Sequence, residues 1–83
     1  MRLLSEQSFP ARTESLATVR ALVRQACQQA AGDDEFTEAL VLAVNEACMN
    51  VIQHAYQFAE GEQFHVRLLQ DERIIHAQVL DNG

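Results

Sequence analysis

The spacing of apolar residues changes once along this chain, near Gly61, and this change constrains the fold more than any other feature of the sequence. Between Thr13 and Ala55, apolar residues recur every three or four positions, which is typical of helices that bury one face. From Phe64 onward they alternate with polar residues, which is typical of strands with one buried face. Helices followed by strands within 83 residues predict a single small α+β domain over residues 1–83.

A first helix is predicted from Thr13 to Ala31. Its apolar stripe has the spacing of one helix face and consists of Leu16, Val19, Val23, Ala26 and Ala30. Thr13 is predicted as the N-cap, because its side-chain oxygen can accept a hydrogen bond from a backbone N–H of the first turn. Gly32 is predicted to end the helix, since glycine adopts the left-handed conformation without strain.

A second helix is predicted to begin at a cap formed by Asp33 or Asp34. Its apolar band consists of Leu40, Val44, Ala47, Val51 and Ala55, widened by Val41, Cys48 and Ile52. We expect this helix to be more buried than the first, because its band is broader. Three residues fall on the side that we expect to face solvent: Asn45, Met49 and Gln53.

Residues 2–9 form a weak strand pattern in which even spacing predicts that Leu3 and Phe9 lie on one face. Pro10 is predicted to end this strand, because proline cannot donate a hydrogen bond to a neighbouring strand.

Two further strands are predicted after the helices. Residues 64–69 and residues 73–80 both alternate between apolar and polar side chains. The polar residues Asp71 and Glu72 predict a tight turn, and therefore antiparallel pairing of these two strands. The order strand, helix, helix, strand, strand predicts a two-layer α+β sandwich, with two helices packed on a mostly antiparallel sheet.

Composition argues against several classes of function. The net charge is −6, and all six basic residues are scattered arginines, so no basic stripe suits nucleic acid or an anionic membrane surface. No apolar run reaches the roughly 20 residues that span a bilayer, and the N-terminus does not resemble a secretory signal, so we expect a cytoplasmic protein. Cys27 and Cys48 are too far apart for a Cys-x-x-Cys pair, and we expect both to be small buried hydrophobic residues.

Three polar residues of the second helix have the spacing of a functional site. Glu46, Asn50 and His54 follow one another at steps of four, which places them on one side of the helix, along the edge of the apolar band. The asparagine offers an oxygen to a hard cation such as Mg²⁺, and the glutamate can accept a proton from an attacking hydroxyl. On spacing alone, they can equally be ordinary polar residues at the boundary between core and solvent.

The stretch from Glu38 to Tyr56 resembles the N-box helix of the GHKL, or histidine kinase-like, ATPase superfamily, which includes sensor histidine kinases, DNA gyrase and MutL-type repair proteins. The form Glu-Ala-x-x-Asn-x-x-x-His-Ala-Tyr, from Glu46 to Tyr56, resembles its anti-sigma serine-protein kinase branch. Sensor kinases more often have alanine and lysine after the asparagine, and lack the His-Ala-Tyr ending.

The last three residues agree with that resemblance. Asp81-Asn82-Gly83 follows a predicted strand, where the superfamily has its first glycine box. Asp, Asn and Gly are also common in turns, so this triplet carries weight only because it lies in register with the N-box.

The resemblance implies a role for each matching residue. Asn50 would hold the Mg²⁺ that bridges the ATP phosphates, and Glu46 would be the general base that draws a proton from a serine hydroxyl. Asp81, with Gly83 beside it, would bind the adenine amino group. His54 and Tyr56 also match the motif, and the resemblance leaves two roles open for them: orienting the end of the helix or lining the rim of the nucleotide site. The implied function is an anti-sigma factor with serine-protein kinase activity, with ATP and Mg²⁺ as cofactors.

The implied partners are a sigma factor, a small anti-sigma antagonist protein that is phosphorylated, and a second copy of the chain in a homodimer. The chain ends within the first glycine box, before the ATP lid and the second glycine-rich segment of the superfamily. We therefore expect the 83 residues alone to be inactive and to bind ATP weakly. Two alternatives follow: a non-catalytic module of this fold that sequesters a regulatory partner, and a domain of a larger signalling protein.

Overall fold

The computed structural model describes residues 1–30, 32–58 and 61–81, and the side chains of all of these except residues 55–58. Within them the chain forms three strands and two helices, in the predicted order. Their bounds are β1 Arg2–Pro10, α1 Ser15–Gln29, α2 Asp34–Phe58, β2 Gln63–Asp71 and β3 Ile74–Asp81. The fold class predicted from the sequence is thus confirmed.

The described strands form one antiparallel sheet in the order β1-β2-β3. Phe9 of β1 is opposite Phe64 of β2, and their rings stack with centroids 5.6 Å apart. An irregularity between Leu3 and Ser5 shifts the register at the start of β1. One extra residue reverses which face the later side chains take, so the prediction that Leu3 and Phe9 share a face was wrong. Leu4, not Leu3, packs against the core.

Both helices cover the same face of the sheet. α1 packs on β1 and β2, and α2 packs on α1 and on β3. The alternating side chains Phe64, Val66 and Leu68 of β2 are almost fully buried beneath the helices. The rest of the core comes mainly from the two helices, and its fully buried members include Val19, Val23, Ala26, Cys27 and Cys48. The two cysteines are free and have no exposed surface, so the prediction that they are buried hydrophobic residues is confirmed.

The opposite face of the sheet carries a polar network between neighbouring strands. His65 lies 2.9 Å from the Ser8 hydroxyl through Nδ1 and 3.1 Å from Glu6 through Nε2. Arg67 lies 3.4 Å from the same Glu6 carboxylate and donates a hydrogen bond to Gln78. Cross-strand pairs of this kind stabilise a sheet face that contacts water, which explains why the helices cover only one side.

The start of α1 differs in detail from the prediction. Glu14 occupies the N-cap position without a capping hydrogen bond, and the Thr13 hydroxyl donates to the Glu14 carboxylate instead. Ser15 anchors this end of the helix, because its hydroxyl donates a 2.7 Å hydrogen bond to the carbonyl of Pro10. Thr13 is therefore not the cap.

The junction between the helices is held by backbone hydrogen bonds. The Gly32 N–H donates a 2.9 Å hydrogen bond to the carbonyl of Cys27. Gly32 does not have the left-handed conformation that the sequence analysis expected of it. The Asp33 carboxylate accepts a 2.7 Å hydrogen bond from the backbone N–H of Phe36, so Asp33 is the cap of α2. Asp34 and Glu35 follow in the first turn, where negative charge offsets the positive end of the helix dipole.

Candidate functional site

The two long sides of α2 have different surroundings. The packed side consists of Glu38, Val41, Val44, Asn45, Cys48 and Ile52, which face α1 and the sheet. The open flank consists of Leu40, Glu46, Ala47, Asn50, Val51 and His54, and each of these is half-buried or exposed. The buried side of α2 is therefore rotated about the helix axis away from the predicted band, because Val51 of that band is only half-buried. The side chain of Ala55, which was also predicted in the band, lies outside the described residues.

The three predicted site residues of α2 all lie on the open flank. Glu46, Asn50 and His54 are exposed, and the steps of four between them place them in one file. Within the described side chains, neither Glu46 nor Asn50 forms a hydrogen bond or ion pair with another residue, whereas His54 does have a contact. A carboxylate and an amide oxygen are thus presented to solvent on adjacent turns.

Apolar side chains lie beside this file. Leu40 and Val51 of the open flank pack at the margin of the core, and so do alternate residues of β3, namely Ile75, Ala77 and Val79. The register places these β3 residues on the face that the helices cover, beside Val66 and Leu68. The polar file of α2 is thus bordered by an incompletely covered apolar surface, the arrangement expected of a ligand cleft with a hydrophobic floor.

Asn50 and the end of β3 are each about 20 Å along their own element from a shared cavity. Phe36 of α2 and Ile75 of β3 line one cavity, which places the starts of both elements side by side. From Phe36 to Asn50, 14 positions of helix at about 1.5 Å each give a rise of about 21 Å. From Ile75 to Asp81, six positions of strand at about 3.3 Å each give about 20 Å. Asn50 and Asp81 are therefore about equally far from the cavity, each measured along its own element.

Asp81 ends β3 and is exposed, opposite the buried Phe64 of β2. The predicted site residue Gly83 and its neighbour Asn82 lie outside the described residues, as does the side chain of Tyr56. The structure thus brings Glu46, Asn50 and His54 together on one helix face, and Asp81 to the end of the strand that this helix covers.

Comparison with known proteins identifies the family. The family model of the histidine kinase-like ATPase domain matches residues 9–83, which is nearly the whole chain. The chain belongs to the histidine kinase-like ATPase family. The segment that resembles the superfamily's N-box lies on α2 and carries Glu46, Asn50 and His54.

Individual relatives agree with the family match. The chain is 32% identical over 78 residues to the serine-protein kinase RsbW of Bacillus cereus (strain AH187), covering 94% of this chain and 48% of the relative. It is 34% identical over 82 residues to the serine-protein kinase RsbW of Bacillus pumilus (strain SAFR-032), covering 96% of this chain and 51% of the relative. The chain thus spans about half the length of these relatives. No solved structure matches significantly.

The donor set of the N-box suits a magnesium ion that is bound mainly by a nucleotide. Within residues 1–30, 32–58 and 61–81, no three His, Cys, Asp or Glu side chains are grouped to hold a metal ion. Mg²⁺ commonly takes one or two protein oxygens and completes its shell with phosphate oxygens and water. The side-chain oxygen of Asn50 fits that role, because it is exposed and has no hydrogen bond to the described part of the chain.

One prediction about α2 was wrong. Asn45 does not face solvent, because its side-chain oxygen accepts a 3.0 Å hydrogen bond from Arg20 of α1 in a partly buried position. Two turns earlier on α2, the Glu38 carboxylate accepts two hydrogen bonds from Arg24 of α1 at 3.0 and 3.1 Å, and these lower the pKa of Glu38. Sequence spacing placed Asn45 opposite the band and carried no information on its partner in α1.

Sequence reasoning also missed an apolar surface on α2. Leu42 is 62% exposed and Met49 is 38% exposed, and their spacing of seven places them on one side of the helix, next to Glu46. The available signal was a leucine and a methionine lying outside the buried period.

No helix in the described part of the chain is long and apolar enough to cross a membrane.

Proposed function

We propose that this chain is the N-terminal part of an anti-sigma regulatory factor that uses ATP to phosphorylate a serine of a partner protein. The observation that carries the proposal is the file of Glu46 and Asn50 on the open flank of α2, exposed and without a bond to the described part of the chain. Membership of the ATPase family and the similarity to serine-protein kinases support it.

Each residue has a chemical task in this proposal. The Asp81 carboxylate accepts a hydrogen bond from the adenine amino group, with Gly83 beside it, and the half-buried Val79 and Val51 provide apolar contacts. Asn50 holds Mg²⁺, which when bound neutralises charge on the ATP phosphates. His54, one turn further along, lies at the rim of the nucleotide site. Positioning of this kind supplies most of the catalysis in phosphoryl transfer.

Glu46 is the general base of the proposal. It lies one turn before Asn50, and its exposed carboxylate would accept the proton of the serine hydroxyl. The serine oxygen would take the γ-phosphoryl group of ATP, and ADP would leave as the bond to the bridging oxygen breaks. The serine belongs to an anti-sigma antagonist, and its phosphorylation prevents the antagonist from releasing a sigma factor that the kinase holds. The kinase works as a homodimer in the cytoplasm.

Calorimetric titration of Mg-ATP tests the nucleotide site. We expect the native gene product to bind Mg-ATP and Asn50→Ala to lose that binding, because the substitution removes the protein ligand to Mg²⁺. The 83-residue chain, titrated alongside, is expected to bind far more weakly. Asn45→Ala is the matched control, since it removes the same amide from the packed side of the same helix. A folded native product that binds no Mg-ATP would refute the kinase proposal.

The second candidate function is a non-catalytic module that sequesters a regulatory partner. The exposed pair Leu42 and Met49 favours it, because apolar residues at this spacing on a helix surface are typical of protein contacts. The two candidates differ in their response to Glu46→Ala. In the kinase, this substitution abolishes transfer of phosphate from ATP to the antagonist while partner binding persists. In the module, there is no phosphorylation to lose.

A further inference from the structure

A second concave site lies at the opposite end of α2 from Asn50. It is a cavity of about 370 Å³ between the first turn of α2 and the turn that joins β2 to β3. Phe36 and Ile75 contribute apolar surface, while Asp33, Glu72 and Arg73 contribute charged groups. We call it the hairpin cavity. Its volume falls in the range of cavities that accept a small ligand or one or two large side chains.

The apolar part of the hairpin cavity is exposed although it is made of large side chains. Phe36 is 40% exposed at the start of α2, and Ile75 is half-buried at the start of β3. Ile74, next to it, is 61% exposed. Apolar side chains that gather in a concavity mark a binding surface more often than single exposed ones do.

The charge of this end is strongly negative. Asp33, Asp34 and Glu35 begin α2, and Asp71 and Glu72 end the hairpin, whereas Arg73 is the one basic residue of these two segments. The two segments therefore carry a net −4 (five carboxylates and one guanidinium) of the −6 of the whole chain. An apolar cavity surrounded by negative charge is complementary to a segment that presents one apolar and one basic side chain.

Glu72, which lines this cavity, has an unusual backbone conformation. Its φ is 56°, a left-handed conformation that strains a residue with a side chain, and glycine is preferred in such two-residue hairpin turns. Glycine at this position would remove the strain and also the carboxylate. Strained residues are often found where their side chain has a function.

We infer that the hairpin cavity binds a segment of a partner protein that presents a leucine-like apolar side chain next to arginine or lysine. The apolar side chain packs between Phe36 and Ile75, and the cation pairs with Glu72 at the rim. The cavity lies about 20 Å from the level of Asn50, so the segment and a nucleotide bind without overlap. This inference goes beyond the proposed kinase activity and does not depend on it.

Capped dipeptides test the inference by NMR titration of the ¹⁵N-labelled 83-residue chain. We expect acetyl-Leu-Arg-amide to shift the amide signals of Gly32, Phe36 and Ile75 saturably, with a dissociation constant on the order of 1 mM. Acetyl-Leu-Glu-amide, with the opposite charge, and acetyl-Gly-Arg-amide, without the apolar side chain, are expected to give no saturable shift. Glu72→Gln should weaken the first dipeptide about threefold, as expected for one exposed ion pair.

Two controls make the result decisive. Glu62→Gln removes a carboxylate just before the start of β2, at the other end of that strand from the hairpin, and should leave the affinity for acetyl-Leu-Arg-amide unchanged. Asn50→Ala should also leave it unchanged, so that loss of the nucleotide site and loss of the hairpin cavity are measured separately. Shifts that do not saturate, that are equal for the three dipeptides, or that are centred elsewhere would overturn the inference.

Discussion

The packed side and the open flank of α2 belong to one helix, yet they differ in almost every physical property. On the packed side, Val44 and Cys48 are buried and Asn45 is bonded to Arg20 of α1. On the open flank, Val51 is half-buried and Asn50 is exposed, with no hydrogen bond to the described part of the chain. The comparison separates two uses of the same residue types: a satisfied side chain stabilises the fold, and an unsatisfied one is available to a ligand.

A matched valine pair gives the largest expected effect of this difference on stability. Val44→Ala should lower the free energy of unfolding by about 2.5 kcal/mol, because two buried methyl groups are lost and a cavity remains. Val51→Ala should lower it by about 1 kcal/mol or less, since the site is already open to solvent. The change in helix propensity is the same in both variants and cancels. Urea denaturation measures both, and equal losses would show that the open flank is as tightly packed as the core.

The sequence predicted those parts of this arrangement that depend on local spacing. The order of elements, the Asp33 cap and the alternation of Phe64, Val66 and Leu68 follow from rules that act within a few residues. The positions of Glu46, Asn50 and His54 on one side of α2 follow from the helix period in the same way.

The errors concern contacts between segments that are distant in the chain. The irregularity after Leu3 depends on how β1 meets β2, and the bond of Asn45 depends on how α2 crosses α1. The hairpin cavity likewise joins Phe36 with Ile75, 39 positions apart, and no spacing within one element could reveal it. A polar residue at the margin of an apolar band can face a neighbouring helix or face solvent. The spacing of the band is the same in both cases, so it does not predict which of the two surroundings the residue has.

Cys48 reports on the dryness of the packed side through the pH dependence of stability. Burial raises the pKa of its thiol to about 11. In the unfolded chain the thiol ionises near pH 9.0, so between that pH and about 11 the unfolded state binds fewer protons than the folded state. The contribution of Cys48 is therefore fully present below about pH 8 and is lost as the pH rises, by about 2 kcal/mol at pH 11.

The measurement is the free energy of unfolding at pH 8 and at pH 10.5, compared between the wild type and Cys48→Ala. The variant is less stable at pH 8 because of the cavity, but its stability should fall less steeply, since the unfolded state no longer gains from ionisation of this thiol. Cys27 is present in both proteins, so its contribution cancels. Parallel pH profiles would mean that water reaches Cys48 and that the packed side is less dry than its burial indicates.

Two asparagines five positions apart on α2 give the smallest expected effect on stability and the most selective one. Asn45→Ala removes the hydrogen bond from Arg20 and should lower the free energy of unfolding by about 1 kcal/mol relative to Asn50→Ala. Both substitutions replace the same residue by alanine within one helix, so the gain in helix propensity cancels in the difference. Binding of Mg-ATP should show the reverse order, with Asn50→Ala losing it and Asn45→Ala keeping it. If one variant lost both stability and binding, the two sides of the helix would not be independent, and the exposed amide of Asn50 would contribute to the fold rather than to the ligand.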